Sequence, residues 1–262
     1  MCHDISFSAN SIELITDYLP NLIIGEQNFD FSTTTHVLAQ AFRKYPIVHL
    51  QDNLPHLKYF EWGVVADYMN TPEKVKEYRS SMVNIRSEKL LDDKRSVWYR
   101  LRKQRCLIPV TGFFEHREIK GWTKKVPYHI KLQNRSLFFL LGLYNYSPIP
   151  DIETGELKGT FGIVTRSSNT VMSQIHNHSP NKHRMPVILQ PEKAVKWINQ
   201  DLTDEDLRNF LNYSIPDNEL KVFPVWTIRT TKERPDFKTK IDPFEWENLP
   251  TLGKDDTQLT LL

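Results

Sequence analysis

The chain has 262 residues, of which 39% are hydrophobic and 25% charged, which is enough for one sizeable hydrophobic core or two small ones. Its formal net charge is only +2, from 34 basic and 32 acidic side chains, which excludes a global basic field and confines any nucleic-acid site to a local patch. The presence of only two cysteines, Cys2 and Cys106, argues against a disulfide framework and a cysteine-rich zinc site.

Hydrophobic periodicity, capping residues and β-branched runs predict the following elements in chain order. Helices are predicted at 11–19, 72–79, 94–103, 168–175, 192–199 and 207–213. Strands are predicted at 46–48, 59–65, 106–114, 126–132, 137–144, 160–165, 185–189 and 220–228. Strands outnumber helices and do not alternate regularly with them, which indicates an α+β fold with a mixed, largely antiparallel sheet. We expect one domain over 1–249 and a flexible polar tail over 250–262.

The second residue offers a reactive group that no internal residue can provide. Removal of Met1 would leave Cys2 with a free α-amine and a thiol on neighbouring carbons, whose ordinary pKa values are near ~8 and ~8.5. Together they can condense with an aldehyde: the amine forms a Schiff base, the thiol adds to it, and a five-membered thiazolidine closes. A Met-Cys start is common by chance, so this interpretation depends on the rest of the chain.

Two further stretches carry polar residues suited to such chemistry. Asn84 and Arg86 lie on one side of an extended segment, where an amide can hold a backbone group and Arg can hold a phosphate. Glu115 ends a strongly apolar strand, and burial would raise its pKa and make it a general acid near pH 7. The alternatives are a surface salt bridge in the first stretch and a water-facing carboxylate in the second.

Histidines and basic residues are also concentrated locally. His176, His178 and His183 lie close together without a cysteine pair or a carboxylate, so we predict no metal site and favour an imidazole that transfers protons or binds phosphate. Basic and aromatic residues interleave in 94–105 and 117–125. This pattern suits single-stranded nucleic acid, and it suits an ordinary solvated surface equally well.

Taken in order, several short motifs resemble the SOS-response-associated peptidase (SRAP) family of abasic-site-processing proteins. They are Met1-Cys2, Glu61-Trp62-Gly63, Asn84-x-Arg86-x-Glu88, Arg105 to Pro109 running into Gly112 to Glu115, Pro127-Tyr128, Gly142-Leu143, Ile163 to Thr165, Ile175-His176 and Arg184 to Leu189. The resemblance implies a mixed α+β fold built round a curved sheet or barrel, with peripheral helices. It also implies a sensor of abasic sites in single-stranded DNA that needs no cofactor.

In the resembling family, the N-terminal cysteine links covalently to the ring-opened deoxyribose as a thiazolidine and protects the lesion in the DNA damage (SOS) response. The catalytic residues that the resemblance implies are Cys2, Asn84, Glu115 and His176. The DNA-binding residues that it implies are Trp62, Arg86, Thr165, His183 and Arg184. Three alternatives stay open: a thiol peptidase that removes Met1 or cleaves protein substrates, an AP lyase, and a non-catalytic adaptor.

The chain departs from the family pattern at three places, one of which is Val64 to Tyr68, where the aromatic residues that often follow Trp-Gly are weak. The family commonly has Gly-Arg after the cysteine, whereas this chain has His3-Asp4, and an aspartate cannot bind a phosphate. That contact is therefore lost or replaced, for example by His3. An insertion over 177–183 separates His176 from Arg184, and we predict His176 as the catalytic histidine because its preceding helix is kept, with His183 as the alternative.

The tail carries a candidate docking peptide. Residues 258–262 resemble the short peptide that binds the bacterial sliding clamp, with Gln258, Leu259, Leu261 and Leu262 as anchors. The alternative is a frayed terminus. The chain starts without a signal-peptide pattern, and no stretch reaches the ~18 apolar residues of a membrane helix. We expect a cytoplasmic, nucleoid-associated protein with DNA as its partner and no membrane partner.

Overall fold

A computed structural model describes residues 2–7, 11–25 and 36–254. The strands are β1 Asp4–Ser6, β2 Ile23–Ile24, β3 Val37–Leu38, β4 Lys44–Gln51, β5 Leu54–Trp62, β6 Asn84–Arg86, β7 Arg105–Val110, β8 Gly112–Arg117, β9 Val126–Leu132, β10 Phe138–Pro150, β11 Leu157–Ser167, β12 Arg184–Pro186, β13 Ile188–Leu189 and β14 Leu220–Pro224. The α-helices are α1 Ser11–Tyr18, α2 Pro72–Tyr78, α3 Glu88–Leu91, α4 Val97–Leu101, α5 Thr170–Ile175, α6 Pro191–Ala194 and α7 Asp204–Asn212. Short 3-10 helices cover Ala39–Ala41, Arg79–Met82, Val195–Ile198 and Asp217–Glu219.

Five strands close into a ring. β5 pairs antiparallel with β4 and parallel with β11, and the antiparallel pairs β4–β7, β7–β10 and β10–β11 complete the circle. β2, β6, β12 and β13 add to its edges. The predicted α+β class with a mixed, largely antiparallel, barrel-like core is therefore confirmed, and the described helices are short and peripheral.

A second, antiparallel sheet carries the start of the chain. Its strand order is β14-β9-β8-β1-β3, so β1 lies between β8 and β3. The register pairs Asp4 with Phe114 on β8 and with Leu38 on β3. A strand held on both sides fixes the residues just before it, and this sheet therefore sets the position of Cys2.

The tight contact between β8 and β9 depends on a glycine. A Cβ at Gly112 would lie 2.2 Å from His129 Nε2 and 2.9 Å from Ile130 O, distances that no side chain tolerates. The His129 ring uses this space to bond Ser6 Oγ at 2.8 Å from its Nε2, which ties β9 to β1. Gly112 thus allows β1, β8 and β9 to approach one another closely at Ser6.

The ring and the second sheet share one hydrophobic core. Trp62 is fully buried, stacks on Phe161 with 5.9 Å between ring centroids, and donates its Nε1–H to Val83 O at 3.0 Å. Burying a large apolar side chain contributes about 1.5–3 kcal/mol to stability. Trp62 therefore stabilises the ring where β6, which follows Val83, joins it.

Several boundaries differ from the sequence-based expectations. The single strand predicted over 106–114 is two strands, because the chain turns at Thr111, whose N–H donates to Ser6 O at 2.9 Å. Packing also continues past the predicted boundary at 249: Leu252 packs against the core, and Arg117 donates to the carbonyls of Pro250 and Thr251. None of the described helices is long and apolar enough to cross a membrane.

Candidate functional site

Cys2 is buried just before the N-terminal end of β1, which begins at Asp4. Its side chain is fully buried, and its Sγ–H points to Asp4 O at 4.0 Å. The Asn84 Nδ2–H donates to Cys2 O at 2.9 Å and thereby links the start of the chain to β6. Burial raises the pKa of the Cys2 thiol, and the negative charges of Glu115 and Asp4 raise it further, so the thiol form is favoured over the thiolate.

Asn84 is held by the strand pairing of β6. β6 runs parallel to β11, with Asn84 opposite Ile163 and Arg86 opposite Thr165. The Asn84 side chain is buried, and its Oδ1 has no hydrogen-bond donor among the described residues. A buried amide oxygen without a donor costs free energy, so this atom favours the arrival of an N–H group beside Cys2.

Glu115 lies in β8, the strand next to β1. Its side chain is only 4% exposed, and burial raises its pKa to about 7, with the charge of Asp4 adding to the effect. The water-facing alternative for this carboxylate is therefore excluded. A carboxyl group with a pKa near 7 is present in both protonation states at neutral pH, so it can give and take protons.

His176 directly follows α5, a helix that packs against β8. Its Nδ1 accepts the backbone N–H of Arg184 at 3.1 Å, so in the neutral ring the proton lies on Nε2. Burial lowers the pKa of His176 to about 3, and neighbouring His178 adds to the shift. The ring is therefore neutral at physiological pH and offers Nε2–H as a hydrogen-bond donor.

The insertion after His176 is fastened to the end of β8. The Asn177 side chain accepts Glu118 N–H at 2.9 Å and donates to Glu118 O at 2.8 Å. His183 N–H then donates to His176 O at 2.7 Å, which closes the loop. His183 itself is exposed, and its Nδ1 lies 3.1 Å from Ser173 O on α5. His176, and not His183, is the histidine enclosed with the buried groups.

Arg184 and Thr165 form a buried support beneath the site. Arg184 makes a bidentate ion pair with Glu88, at 2.8 and 3.0 Å, and donates to Thr165 O at 2.7 Å. Thr165 Oγ1 donates to Ile85 O at 3.1 Å, next to Asn84. The two residues predicted to bind DNA here instead connect β6, β11 and β12, and in this conformation neither is exposed.

The other predicted DNA-binding residues divide into buried and exposed positions. Trp62 lies inside the core and offers no stacking surface. Arg86 is exposed at the edge of β6, where its Nη2–H donates to Asn181 Oδ1 at 2.6 Å in the insertion. Of the five predicted DNA-binding residues, only Arg86 and His183 are exposed.

Three of the ten basic side chains in the stretches 94–105 and 117–125 have structural contacts. Arg105 and Arg117 are buried, and their guanidinium groups donate to backbone carbonyls, including Trp197 O at 2.8 Å for Arg105. Arg102 stacks on the Tyr99 ring at 3.9 Å. The exposed cations that remain are Lys94, Arg95, Arg100, Lys103, Lys120, Lys124 and Lys125. Composition alone therefore overstated the nucleic-acid surface of these stretches.

No sequence pattern pointed to two residues that reach Asp4. His36 Nε2 lies 2.8 Å from Asp4 Oδ1, and Arg229 binds both carboxylate oxygens through Nε and Nη2. These partners hold the pKa of Asp4 below its ordinary value despite its burial. Asp4, where the chain departs from the family pattern, thus forms an ion pair with Arg229, which lies 225 positions further along the chain.

Within the described ranges, no group of three or more His, Cys, Asp or Glu side chains is arranged to hold a metal ion. The predicted clamp-binding residues Gln258, Leu259, Leu261 and Leu262 lie outside the described residues. The candidate site consists of Cys2 and three buried residues, Asn84 on β6, Glu115 on β8 and His176 directly after α5.

Comparisons with known proteins show the family of this chain. The model of the SOS response associated peptidase (SRAP) family matches residues 1–228. The abasic site processing protein YoqW of Bacillus subtilis is 31% identical over 167 residues, which cover 64% of this chain and 68% of YoqW. The abasic site processing protein HMCES of Gallus gallus is 26% identical over 187 residues, which cover 64% of this chain and 52% of HMCES.

Solved structures share the fold. A protein from Bacteroides thetaiotaomicron is similar with a TM-score of 0.72 and 29% sequence identity, covering 92% of this chain and 97% of that one. A protein from Bordetella bronchiseptica has a TM-score of 0.67 at 17% identity, covering 86% of this chain and 100% of that one. The second similarity concerns the fold alone.

Proposed function

Because this chain belongs to the SOS response associated peptidase (SRAP) family, we propose that it senses abasic sites in single-stranded DNA and forms a covalent thiazolidine with them through Cys2. Its relatives carry the name abasic site processing protein. The single observation that best supports the proposal is the convergence of Cys2, Asn84 and the buried acid Glu115 at the end of β1.

The reaction begins with the sugar. An abasic deoxyribose is mostly a closed hemiacetal, so a proton must reach the ring oxygen while the anomeric hydroxyl loses one. Glu115 with a pKa of about 7 can supply the first proton in its acid form and accept one as carboxylate. The amine of Cys2, freed by removal of Met1, then attacks the aldehyde carbon, and loss of one water gives the Schiff base.

Asn84 supports this attack by position. Its Nδ2–H already holds Cys2 O, and its Oδ1 lies on the same amide plane without a donor among the described residues. An amine hydrogen bonded to Oδ1 would direct its lone pair away from Asn84 and toward the sugar. Fixing a nucleophile in this way removes part of the entropic barrier.

Ring closure uses the thiol. The sulfur adds to the C=N carbon, the electron pair of the double bond moves to nitrogen, and the thiol proton is transferred, so no other co-reactant is required. Burial keeps the thiol protonated until the neighbouring Schiff base carries a positive charge, which favours the thiolate. The product has no C=N bond, so it cannot act as an electron sink for elimination of the 3′ phosphate.

Neutral His176 completes the site from the side of α5. Its Nε2–H can donate to the phosphate or to a sugar hydroxyl beside the lesion, while the Arg184 N–H holds the ring through Nδ1. A neutral donor binds the phosphate without becoming an acid strong enough to promote strand cleavage. Protection of the strand rather than its cleavage is therefore the expected outcome.

A denaturing gel with an abasic single-stranded oligonucleotide tests the proposal. Full-length protein should give a covalent band that Cys2→Ser abolishes, whereas Cys106→Ser, the matched change at the other fully buried cysteine, should keep it. Oligonucleotide cleavage without an adduct would indicate a lyase instead. Salt-sensitive binding without an adduct would leave only the adaptor. Cleavage of protein substrates that survives blocking of the N-terminal amine would indicate the peptidase.

A further inference from the structure

Arg229 reaches the Cys2 strand from a part of the chain that the family model does not match. It directly follows Ile228, the last matched residue, which is fully buried and packs with Phe114 on β8. Lys240 Nζ–H donates to Ile228 O at 2.9 Å. The backbone before Arg229 is therefore fixed from two sides.

The guanidinium of Arg229 is oriented by a buried carboxylate. Asp4 is only 2% exposed, and both of its oxygens accept from Arg229, through Nε–H and Nη2–H. These two hydrogen bonds occupy the edge of the guanidinium next to the aliphatic part of the Arg229 side chain. The opposite edge, formed by Nη1 and the second Nη2 hydrogen, has no acceptor among the described residues, and the Arg229 side chain is 44% exposed.

The charge of Arg229 acts on the groups around Cys2. It lowers the pKa of His3, although burial is the larger cause, and it lowers the pKa of His116 next to Glu115 in the same way. The charge of Glu115 in turn contributes to the raised pKa of Arg229, after the stronger effect of Asp4. Arg229 therefore lies beside β1, bound to the residue two positions after Cys2, close enough for its charge to act on His3 and His116.

We propose that Arg229 is a phosphate-binding residue for the DNA strand beside the reactive cysteine, held in place by Asp4. This inference rests on the proposed function, because it assigns the backbone of the same DNA to the free edge of the guanidinium. That edge presents two N–H groups in the spacing that suits two phosphate oxygens. The Asp4 carboxylate lies on the other side of the guanidinium, so an incoming phosphate approaches the positive charge of Arg229 before the negative charge of Asp4.

The test uses a fluorescent, undamaged single-stranded oligonucleotide and the full-length Cys2→Ser protein, in which no crosslink forms. Arg229→Gln in this background should weaken binding by about tenfold, as expected for loss of a hydrogen bond to a charged group. It should also reduce the slope of log affinity against log salt by about 0.7, the value for one phosphate of a single strand. The matched control is Arg208→Gln, which removes another exposed arginine paired with an aspartate, Asp92, and should change neither quantity.

A double variant separates phosphate binding from a purely structural role. Arg229→Gln alone leaves a buried carboxylate with one partner fewer, whereas Asp4→Asn with Arg229→Gln removes the charge as well. Phosphate binding predicts that the double variant stays about tenfold weak with the lower salt slope. Recovery of affinity in the double variant, or an unchanged slope in folded Arg229→Gln protein, would overturn the inference. Failure of the wild-type protein to crosslink would refute the proposed function instead.

Discussion

Replacing Glu115 by Gln removes the proposed acid while keeping the shape of the side chain. With a pKa of about 7, Glu115 is about 90% protonated at pH 6 and about 10% at pH 8. General acid–base catalysis typically contributes 10² to 10⁴ in rate. We therefore expect Glu115→Gln to slow crosslinking at least about 100-fold at pH 7, and to leave the affinity for undamaged DNA unchanged.

The pH profile gives a second result that a structural effect would not imitate. In the wild type, the rate should rise as the Cys2 amine, with a pKa near ~8, loses its proton, should reach a maximum between pH ~7 and ~8, and should fall at higher pH because protonated Glu115 disappears. In Glu115→Gln, the fall at high pH should vanish, and the slow rate should level off above pH ~8. Rates of adduct formation between pH 5.5 and 9.5, measured on gels with excess protein, give both profiles.

Stability follows from the same pKa. Because the folded pKa of Glu115 lies above its unfolded value of 4.5, this group favours folding below pH 4.5, and that contribution is lost as the pH rises to about 7. The loss amounts to about 3 kcal/mol, at 1.36 kcal/mol per pKa unit. The Glu115→Gln protein should therefore unfold at a higher urea concentration than the wild type at pH 8, and should lack this part of the decline in stability between pH 4.5 and 8.

A crosslinking rate of Glu115→Gln equal to that of the wild type, or an unchanged fall of that rate at high pH, would refute the role of Glu115 as the acid.

The remaining predictions address the histidines, the fold and the tail. His176→Ala should slow crosslinking by about tenfold, as expected for loss of a hydrogen bond to a charged phosphate, whereas His183→Ala, at the exposed position, should change the rate less than about threefold; equal effects would contradict the assignment. Gly112→Ala should lower the free energy of unfolding by about 2 kcal/mol or more, because its Cβ would lie 2.2 Å from His129 Nε2; urea denaturation with an unchanged midpoint would disprove this packing. Deletion of 258–262 should abolish capture by the bacterial sliding clamp and keep crosslinking, and failure of the intact chain to bind the clamp would end that prediction.

The fold class was predictable because the relevant signals are local. Runs such as 126–132 have the β-branched and apolar composition of a strand, and the structure places β9 over the same residues. β1 was missed because three residues, Asp4–Ser6, give no detectable alternation, and their extended form depends on pairing with β8 and β3. Short strands of this kind are set by tertiary contacts rather than by their own composition.

The candidate site was predictable only in part, for a related reason. Motif resemblance named Cys2, Asn84, Glu115 and His176, although no spacing in the sequence brings them together. Nothing in the sequence joined Asp4 to Arg229, because a contact between residues 4 and 229 depends on the path of the whole chain. Composition likewise could not tell that the guanidinium of Arg117 is buried rather than offered to a ligand.

The most direct measurement is the mass and peptide map of the adduct. Protein mixed with an abasic single-stranded oligonucleotide is digested with trypsin and nuclease, and the modified peptide is sequenced by mass spectrometry. The proposal predicts a protein that lacks Met1, and a sugar attached to the peptide that begins at Cys2, with the loss of one water. A retained Met1 in the crosslinked species, or a sugar attached to a lysine elsewhere, would contradict it.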